Sequence, residues 1–408
     1  DEETVKKMTK MVSQLLTEIE LKSEQKDQMS SDDLVGFDVS NSFRQFNQMN
    51  DMFTRAYWDV SIKSPDTEAF FNSYRADFIP RRGEGFNQKD FSLRNASWLI
   101  SDIISNRGGE RGLREGFQAA IESDTEIAPN KVLIDDVANQ SIEIKKIAKL
   151  FGADLVGITS VDKRWHYSHR VDTKTFSAVD NELPADCNSV IVMAHAMDYD
   201  LVDTYPSALA GASTGREYSH EASICMQLAA YIRGLGYEAI ASMNDTALVI
   251  PYAIKAGLGE YGRNQMVLTP EYGPRVRFSK IFTSLPLKND VPKPLGIKEY
   301  CNDCTKCAKA CPPKALPFGA PTEGSGSPST IKGVKKWSAN CEKCFGYWAK
   351  IRTDCAICMR VCPFNRKYKS FYDIIWRWLA TSPLRKIALI WEAKRKPRKR
   401  LKPSDWWN

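Results

Sequence analysis

The stretch Cys301-Asn-Asp-Cys304-Thr-Lys-Cys307-Ala-Lys-Ala-Cys311-Pro312 decides how the C-terminal part of this chain folds. Three thiols at intervals of three residues, a fourth four residues on and then a proline form the bacterial ferredoxin run. The close triplet wraps one [4Fe–4S] cubane and the fourth cysteine reaches across to a second. A second run, Cys355-x2-Cys358-x3-Cys362-Pro363, repeats the pattern with its first cysteine displaced upstream, so Cys344 or Cys341 must supply the missing thiolate. Exchange of the fourth ligand then assigns Cys301, Cys304, Cys307 and Cys362 to one cluster. Cys311, Cys355, Cys358 and one of Cys341 and Cys344, with Cys344 preferred as nearer in sequence, go to the other.

Nine of the eleven cysteines fall between Cys301 and Cys362. A disulfide framework would not crowd so tightly in a chain of 408 residues, which is long enough for a large core. Cys187 and Cys225 stand apart and read as small core hydrophobes. Two adjacent cubanes move single electrons and bind no substrate, yet about 300 residues precede them. The clusters are therefore expected to feed a redox site upstream.

Outward from the module, residues 131–290 alternate between helix and strand patterns. Ile142 to Phe151 has apolar residues at helical spacing. Leu155 to Thr159, Ser189 to His195 and Val276 to Thr283 read as strands, and Glu217 to Gly234 as a long helix closed by glycine. An α+β core follows from this pattern. Residues 1–130 begin with a charged, helix-forming segment to about residue 35 and continue as an aromatic region. Phe37, Phe43, Tyr57, Trp58, Phe70 and Phe71 are candidate pocket walls there, with Trp165 and Tyr167 from the core. Residues 291–370 hold the cysteine module, and 371–408 form a basic aromatic tail with ten Lys/Arg against three Asp/Glu.

No segment has the ~18–20 continuous apolar residues of a membrane span. The four histidines form no metal-binding spacing, no Gly-x-Gly-x-x-Gly follows a strand and there is no Walker loop. Another electron-accepting cofactor is needed, and composition does not name it.

A resemblance does. Tyr218-Ser219, Ile232-Arg233-x-Leu235-Gly236-Tyr237, Asn244-Asp245, Gly257-Leu258-Gly259-x-Tyr261-Gly262-Arg263-Asn264 and Tyr272-Gly273-Pro274-Arg275-Val276-Arg277 precede the two cysteine runs. Together with Cys344-Phe345-x-Tyr347-Trp348 and Thr353-Asp354-Cys355, they resemble the corrinoid-dependent reductive dehalogenases, and the layout is most similar to members acting on small chlorinated alkanes. The resemblance implies a nitroreductase-like core holding a base-off corrinoid, reduced to Co(I) by electrons from the two [4Fe–4S] clusters. No histidine here stands in the Asp-x-His-x-x-Gly context by which other corrinoid proteins ligate cobalt. Gly257, Leu258, Gly259, Tyr261, Gly262 and Asn264 are expected at the cofactor, the glycines admitting a large planar ligand close to the backbone. Tyr218 matches the family's proton donor, Arg277 (with Arg275 as the alternate) its arginine and Asn244 its amide.

The resemblance also implies organohalide respiration at the outer face of the cytoplasmic membrane. Export would follow the twin-arginine route, consistent with a chain that starts at Asp1. A small membrane-anchor protein and an upstream low-potential electron donor are the implied partners, with no nucleic acid. The tail from Ile374 to Trp391 would dock on the anchor or on lipid, or else pack as a core helix. Two rival readings are an epoxyqueuosine reductase-like enzyme acting on tRNA, kept open by the basic tail, and an electron-transfer subunit with no chemistry of its own.

Overall fold

The computed structural model describes residues 37–80, 83–109, 125–324, 326–395 and 398–408; the expected N-terminal surface helix lies outside them. A four-stranded sheet forms the centre. Its strands are β1 (Leu155–Ser160), β2 (Ser189–Ala196), β3 (Ala239–Ser242) and β4 (Val276–Thr283), in spatial order β1-β2-β4-β3 with every neighbour antiparallel. The mixed helix-and-antiparallel-sheet core is of the α+β class expected. β2 reads Ser-Val-Ile-Val-Met-Ala-His-Ala and is buried from Ser189 through His195, as a central strand covered on both faces must be.

One face is covered by α2 (Val137–Phe151) and α3 (Ala208–Gly234). Asp136 caps α2 by accepting from the Ala138 and Asn139 amides, and Gly152 closes it in the left-handed region at φ 118°. Ile144 and Ala148 of α2 meet Ile158, Ile191, Met193 and Ile281 of the sheet and Ala222, Cys225 and Leu228 of α3. The expected start of α3 at Glu217 is too late: Ser207 caps it by accepting from Ala210, and the helix runs 27 residues. Its first two turns, Ala-Leu-Ala-Gly-Ala-Ser-Thr-Gly, carry no large apolar stripe for a periodicity reading to find. Small residues there serve close packing. A Cβ at Gly211 would sit 2.6 Å from Asp354 Oδ1 and 2.9 Å from Arg94, and one at Gly215 would meet the Trp98 ring at 2.5 Å. Arg94 and Trp98 belong to α1 (Gln88–Gly109), which lies along α3.

The other face carries Val190, Val192, Ala194, Phe278 and Phe282. Those residues pack in one continuous core with Tyr252, Tyr300, Cys301, Trp337 and Trp376, so the cysteine module is built onto the sheet rather than tethered to it. The module contains α4 (Cys341–Ile351), and the tail forms the helix pair α5 (Phe371–Ala380) and α6 (Arg385–Lys394). N-terminal Asp38–Val39 pairs antiparallel with Val334–Lys335 inside the module. Among the described residues no helix is long and apolar enough to cross a membrane.

Candidate active site and cluster module

Cys301, Cys304, Cys307 and Cys362 line one cavity, the set that ligand exchange assigns to the first cluster. Arg263 secures their loop. Its side chain is buried and donates to the carbonyls of Cys301, Asn302, Cys304, Pro317 and Gly319 at 2.8–3.1 Å. Cys311 packs with Cys344 and Cys358, and Cys344 faces Cys355 and Cys311 electrostatically. Cys341 Sγ instead lies 3.7 Å from the Ala339 carbonyl and faces Lys336 and Thr330. Burial pushes the thiols of Cys301, Cys344 and Cys355 up to about 12. Thiols so placed ionise when a metal takes the charge, so these residues fit iron–sulfur clusters.

Tyr218 projects from α3 into a second cavity of about 310 Å³. Asn244 Nδ2 donates to its phenol oxygen at 2.6 Å. The Arg277 guanidinium stands 4.8 Å from the Tyr218 ring centroid, and the Trp98 ring stacks on Tyr218 at 4.8 Å. Burial works against the charge on Arg277, but Tyr218, Tyr205, Glu221 and Asp354 around it raise its pKa on balance. The three residues named from the sequence are thus brought together. Arg275, the alternate, is not with them: its Nε donates to Asn365 Oδ1 at 3.0 Å and its Nη1 to the Met197 carbonyl. Pleating alone would put residues two apart on one face; Arg275 goes elsewhere because the strand begins only at Val276.

Phe53, Phe70, Tyr74, Trp98, Tyr167 and Trp348 wall this cavity, with Thr214 and Asp354 as further polar groups. Thr214 Oγ1 donates to Asp354 Oδ2 at 2.8 Å, and Tyr205 also donates to that carboxylate. Asp354 thereby joins the wall to its neighbour Cys355.

A larger cavity of about 370 Å³ adjoins it, and Tyr167 and Asn244 line both. Tyr167 OH donates to the Asn244 carbonyl at 2.7 Å, which holds this partition in place. Phe37, Trp165, Tyr261, Ile331 and Lys336 line the larger cavity. No histidine is among its lining residues; the nearby His166 shares a 3.0 Å hydrogen bond with Tyr252 OH.

The glycine stretch requires a correction. A Cβ at Gly257 (φ +73°) would meet the Val291 carbonyl at 2.6 Å, one at Gly259 the Leu268 carbonyl, and one at Gly262 the Leu268 side chain. The close approach these glycines allow is of the chain to itself. Leu258 is core, Tyr261 lines the larger cavity and Asn264 lines the first cluster's cavity. Among the aromatic candidates, Phe37, Phe70, Trp165 and Tyr167 line a cavity, while Phe43 packs edge-on against Trp165 and Phe71 against Phe53. Tyr57 and Trp58 are each 45 % exposed and line neither of these two cavities. Trp98, Tyr74, Phe53 and Thr214 were not among the wall candidates named from the sequence, although Phe53 and Tyr74 belong to its aromatic N-terminal region. The one local signal was the Gly211/Gly215 pair, which opens α3 to Trp98.

A mixed α+β core bearing a two-cubane module is an iron–sulfur redox protein. Residues 300–365 match the family model for a 4Fe-4S double cluster binding domain, and residues 168–287 match that for a reductive dehalogenase subunit. The tetrachloroethene reductive dehalogenase of Sulfurospirillum multivorans is 35% identical over 261 residues, 58% of this chain and 52% of that protein. One from Desulfitobacterium hafniense is 33% identical over 273 residues, 57% of this chain and 49% of that one. A solved catabolic reductive dehalogenase superposes with a TM-score of 0.69 at 22% identity, covering 91% of this chain and 49% of that one. Over these segments the chain is similar to the reductive dehalogenases in sequence, and it shares the fold of the solved one. It spans about half the length of the curated relatives it matches.

Proposed function

We propose that this protein is a reductive dehalogenase that replaces halogen by hydrogen in small chlorinated hydrocarbons. The observation that carries the reading is Tyr218, hydrogen-bonded by Asn244 and flanked by Arg277, in an aromatic cavity that Trp348 and Asp354 of the cluster module line and that shares Tyr167 and Asn244 with a larger cavity. The net change is R–X + 2 e⁻ + H⁺ → R–H + X⁻.

The residues around the larger cavity suit a corrinoid. Its lining is mostly apolar, the Trp165 Nε1–H is buried with no hydrogen-bond partner, and Lys336, pushed to about 8 by burial, adds a second donor. Trp165, Tyr261, Lys336 and residues 248–251 would hold the macrocycle and its amide side chains. When bound, a corrinoid supplies a low-potential cobalt that passes electrons to the carbon–halogen bond.

The chain's own residues do the rest. Tyr218 OH gives the proton. Asn244 donates to the oxygen that becomes negative, and the Arg277 charge favours the phenolate and the departing halide. The aromatic walls exclude water and select apolar substrates. Chloroethenes, on which the curated relatives act by name, fit such a cavity, as do the chlorinated alkanes expected from the sequence. We further propose a peripheral location at the outer membrane face, with a small anchor protein meeting the exposed Phe371, Tyr372, Trp378, Ile387 and Ile390 of the tail, and a low-potential donor supplying the clusters.

The test is anaerobic turnover by reconstituted protein with reduced viologen, offering tetrachloroethene, a chlorinated alkane and an epoxyqueuosine-containing tRNA hairpin separately. Chloride release from the chlorinated substrates is expected; reduction of the tRNA base alone, or no turnover at all, would overturn the reading.

A further inference from the structure

A column of titratable side chains runs from the surface to Arg277, and the reaction outlined above does not use it. Glu217 and Glu221 stand one turn apart on α3, either side of Tyr218 in sequence, and each is 1% exposed. Glu217 Oε1 pairs with Arg216 Nη1 at 2.9 Å, and its Oε2 lies 3.6 Å from His220 Nδ1. The His220 side chain is 38% exposed, so this end of the column meets solvent.

Glu221 lies further in, and its Oε2 has no hydrogen-bond partner. It faces Arg277 and Lys280 of β4, and Glu217 and Cys225 of its own helix. From β2, His195 stands opposite Arg277 in register. It shares a 2.8 Å hydrogen bond with Ser279 and leaves Nδ1 without a partner, its ring 6.3 Å from that of His220. Asp154 and Asp198 add negative charge near Glu217. Arg277 Nε also lacks a partner. Buried polar atoms are nearly always satisfied, and three orphans among these neighbouring residues mark positions for bridging water.

We propose that Glu217 and Glu221 are the route by which Tyr218 regains its proton after each turnover. The inference rests on the dehalogenase reading, and the two residues act through Tyr218, not on the substrate. When the Tyr218 O–H bond breaks and its proton goes to carbon, the phenolate takes the proton of the Glu221 carboxyl through water beside Arg277. Glu221 refills from Glu217, and Glu217 refills at His220 from solvent. No electrons move in this relay, and one proton is drawn from solvent per halide released. Burial holds Glu221 well above the usual carboxyl range and pushes Glu217 to about 7. Arg277 and Lys280 work against that rise at Glu221, and Glu217 exchanges a proton near neutral pH.

The experiment compares wild-type holoenzyme with Glu221→Gln and Glu217→Gln at matched iron and corrinoid content, with tetrachloroethene and reduced viologen. In a single turnover of pre-reduced enzyme the variants should match wild type, because Tyr218 starts protonated. In steady state, kcat should fall about 10-fold or more with KM unchanged. The solvent deuterium effect on kcat should rise, and Glu221→Asp should recover part of the loss. Steady-state rates at the wild-type level, or a first turnover slowed as much as later ones, would overturn the relay. If Glu221→Gln fails to take up corrinoid, the same comparison on Glu217→Gln decides. A wild type that does not dehalogenate overturns the proposed function; an active wild type with unaffected variants overturns the relay alone.

Discussion

A phenol ordinarily titrates at about 10, so Tyr218, as the proposed proton donor, depends on its neighbours to act at neutral pH. The Asn244 amide and the Arg277 guanidinium are those neighbours, and both bear on the charged form. A choice of comparable consequence sits in the cluster module, where Cys344 turns toward Cys311 and Cys355, and Cys341 turns toward Lys336. Cys344→Ser should therefore lose about half of the roughly eight iron atoms that two [4Fe–4S] clusters bring, while Cys341→Ser should keep them. Iron analysis after anaerobic reconstitution checks this, and the reverse pattern would exchange the two assignments. Spacing alone left Cys341 and Cys344 open because both lie upstream of Cys355 in the same segment. Three-dimensional direction separates them: three residues apart on α4, they still face different neighbours.

Individual elements differ in how far pattern alone could define them. β1, β2 and β4 were readable because each is a short apolar run, and α2 because its stripe is regular. The first turns of α3 were not, since close helix packing selects Gly and Ala and erases the stripe. The glycines after residue 256 misled for a related reason: a tight approach to protein and a tight approach to ligand leave the same mark in sequence. In the tail, α5 has two unlike faces. Trp376 is 1% exposed and packs edge-on against Tyr300 and Phe364, whereas Trp378 is 62% exposed. Glu392 of α6 ties to Arg366 and to Lys306, the neighbour of Cys307. Trp376→Ala should cost about 3–5 kcal/mol and lower iron content, while Trp378→Ala should stay within about 0.5 kcal/mol and, under the proposed peripheral location, reduce binding to vesicles. Thermal unfolding, iron analysis and vesicle co-sedimentation separate the two. Equal effects would mean that α5 has no inner face.

Across the whole molecule, one apolar core runs from the central sheet into the cysteine module, so the clusters and the Tyr218 cavity are held in a fixed relation. Asp354 connects them, lining the cavity one residue from Cys355. The aromatic N-terminal region completes the enclosure through Phe53, Phe70, Tyr74 and Trp98. Those contributions were legible only as composition, because walls assembled from residues over a hundred positions apart leave no local pattern. The most direct measurement is chloride release from tetrachloroethene by wild type and Tyr218→Phe at equal iron and cobalt content. Substitution should slow turnover by about 10²-fold or more with cofactor content unchanged. A Tyr218→Phe protein that dehalogenates at the wild-type rate would contradict the assignment of this cavity as the place where the carbon–halogen bond is replaced.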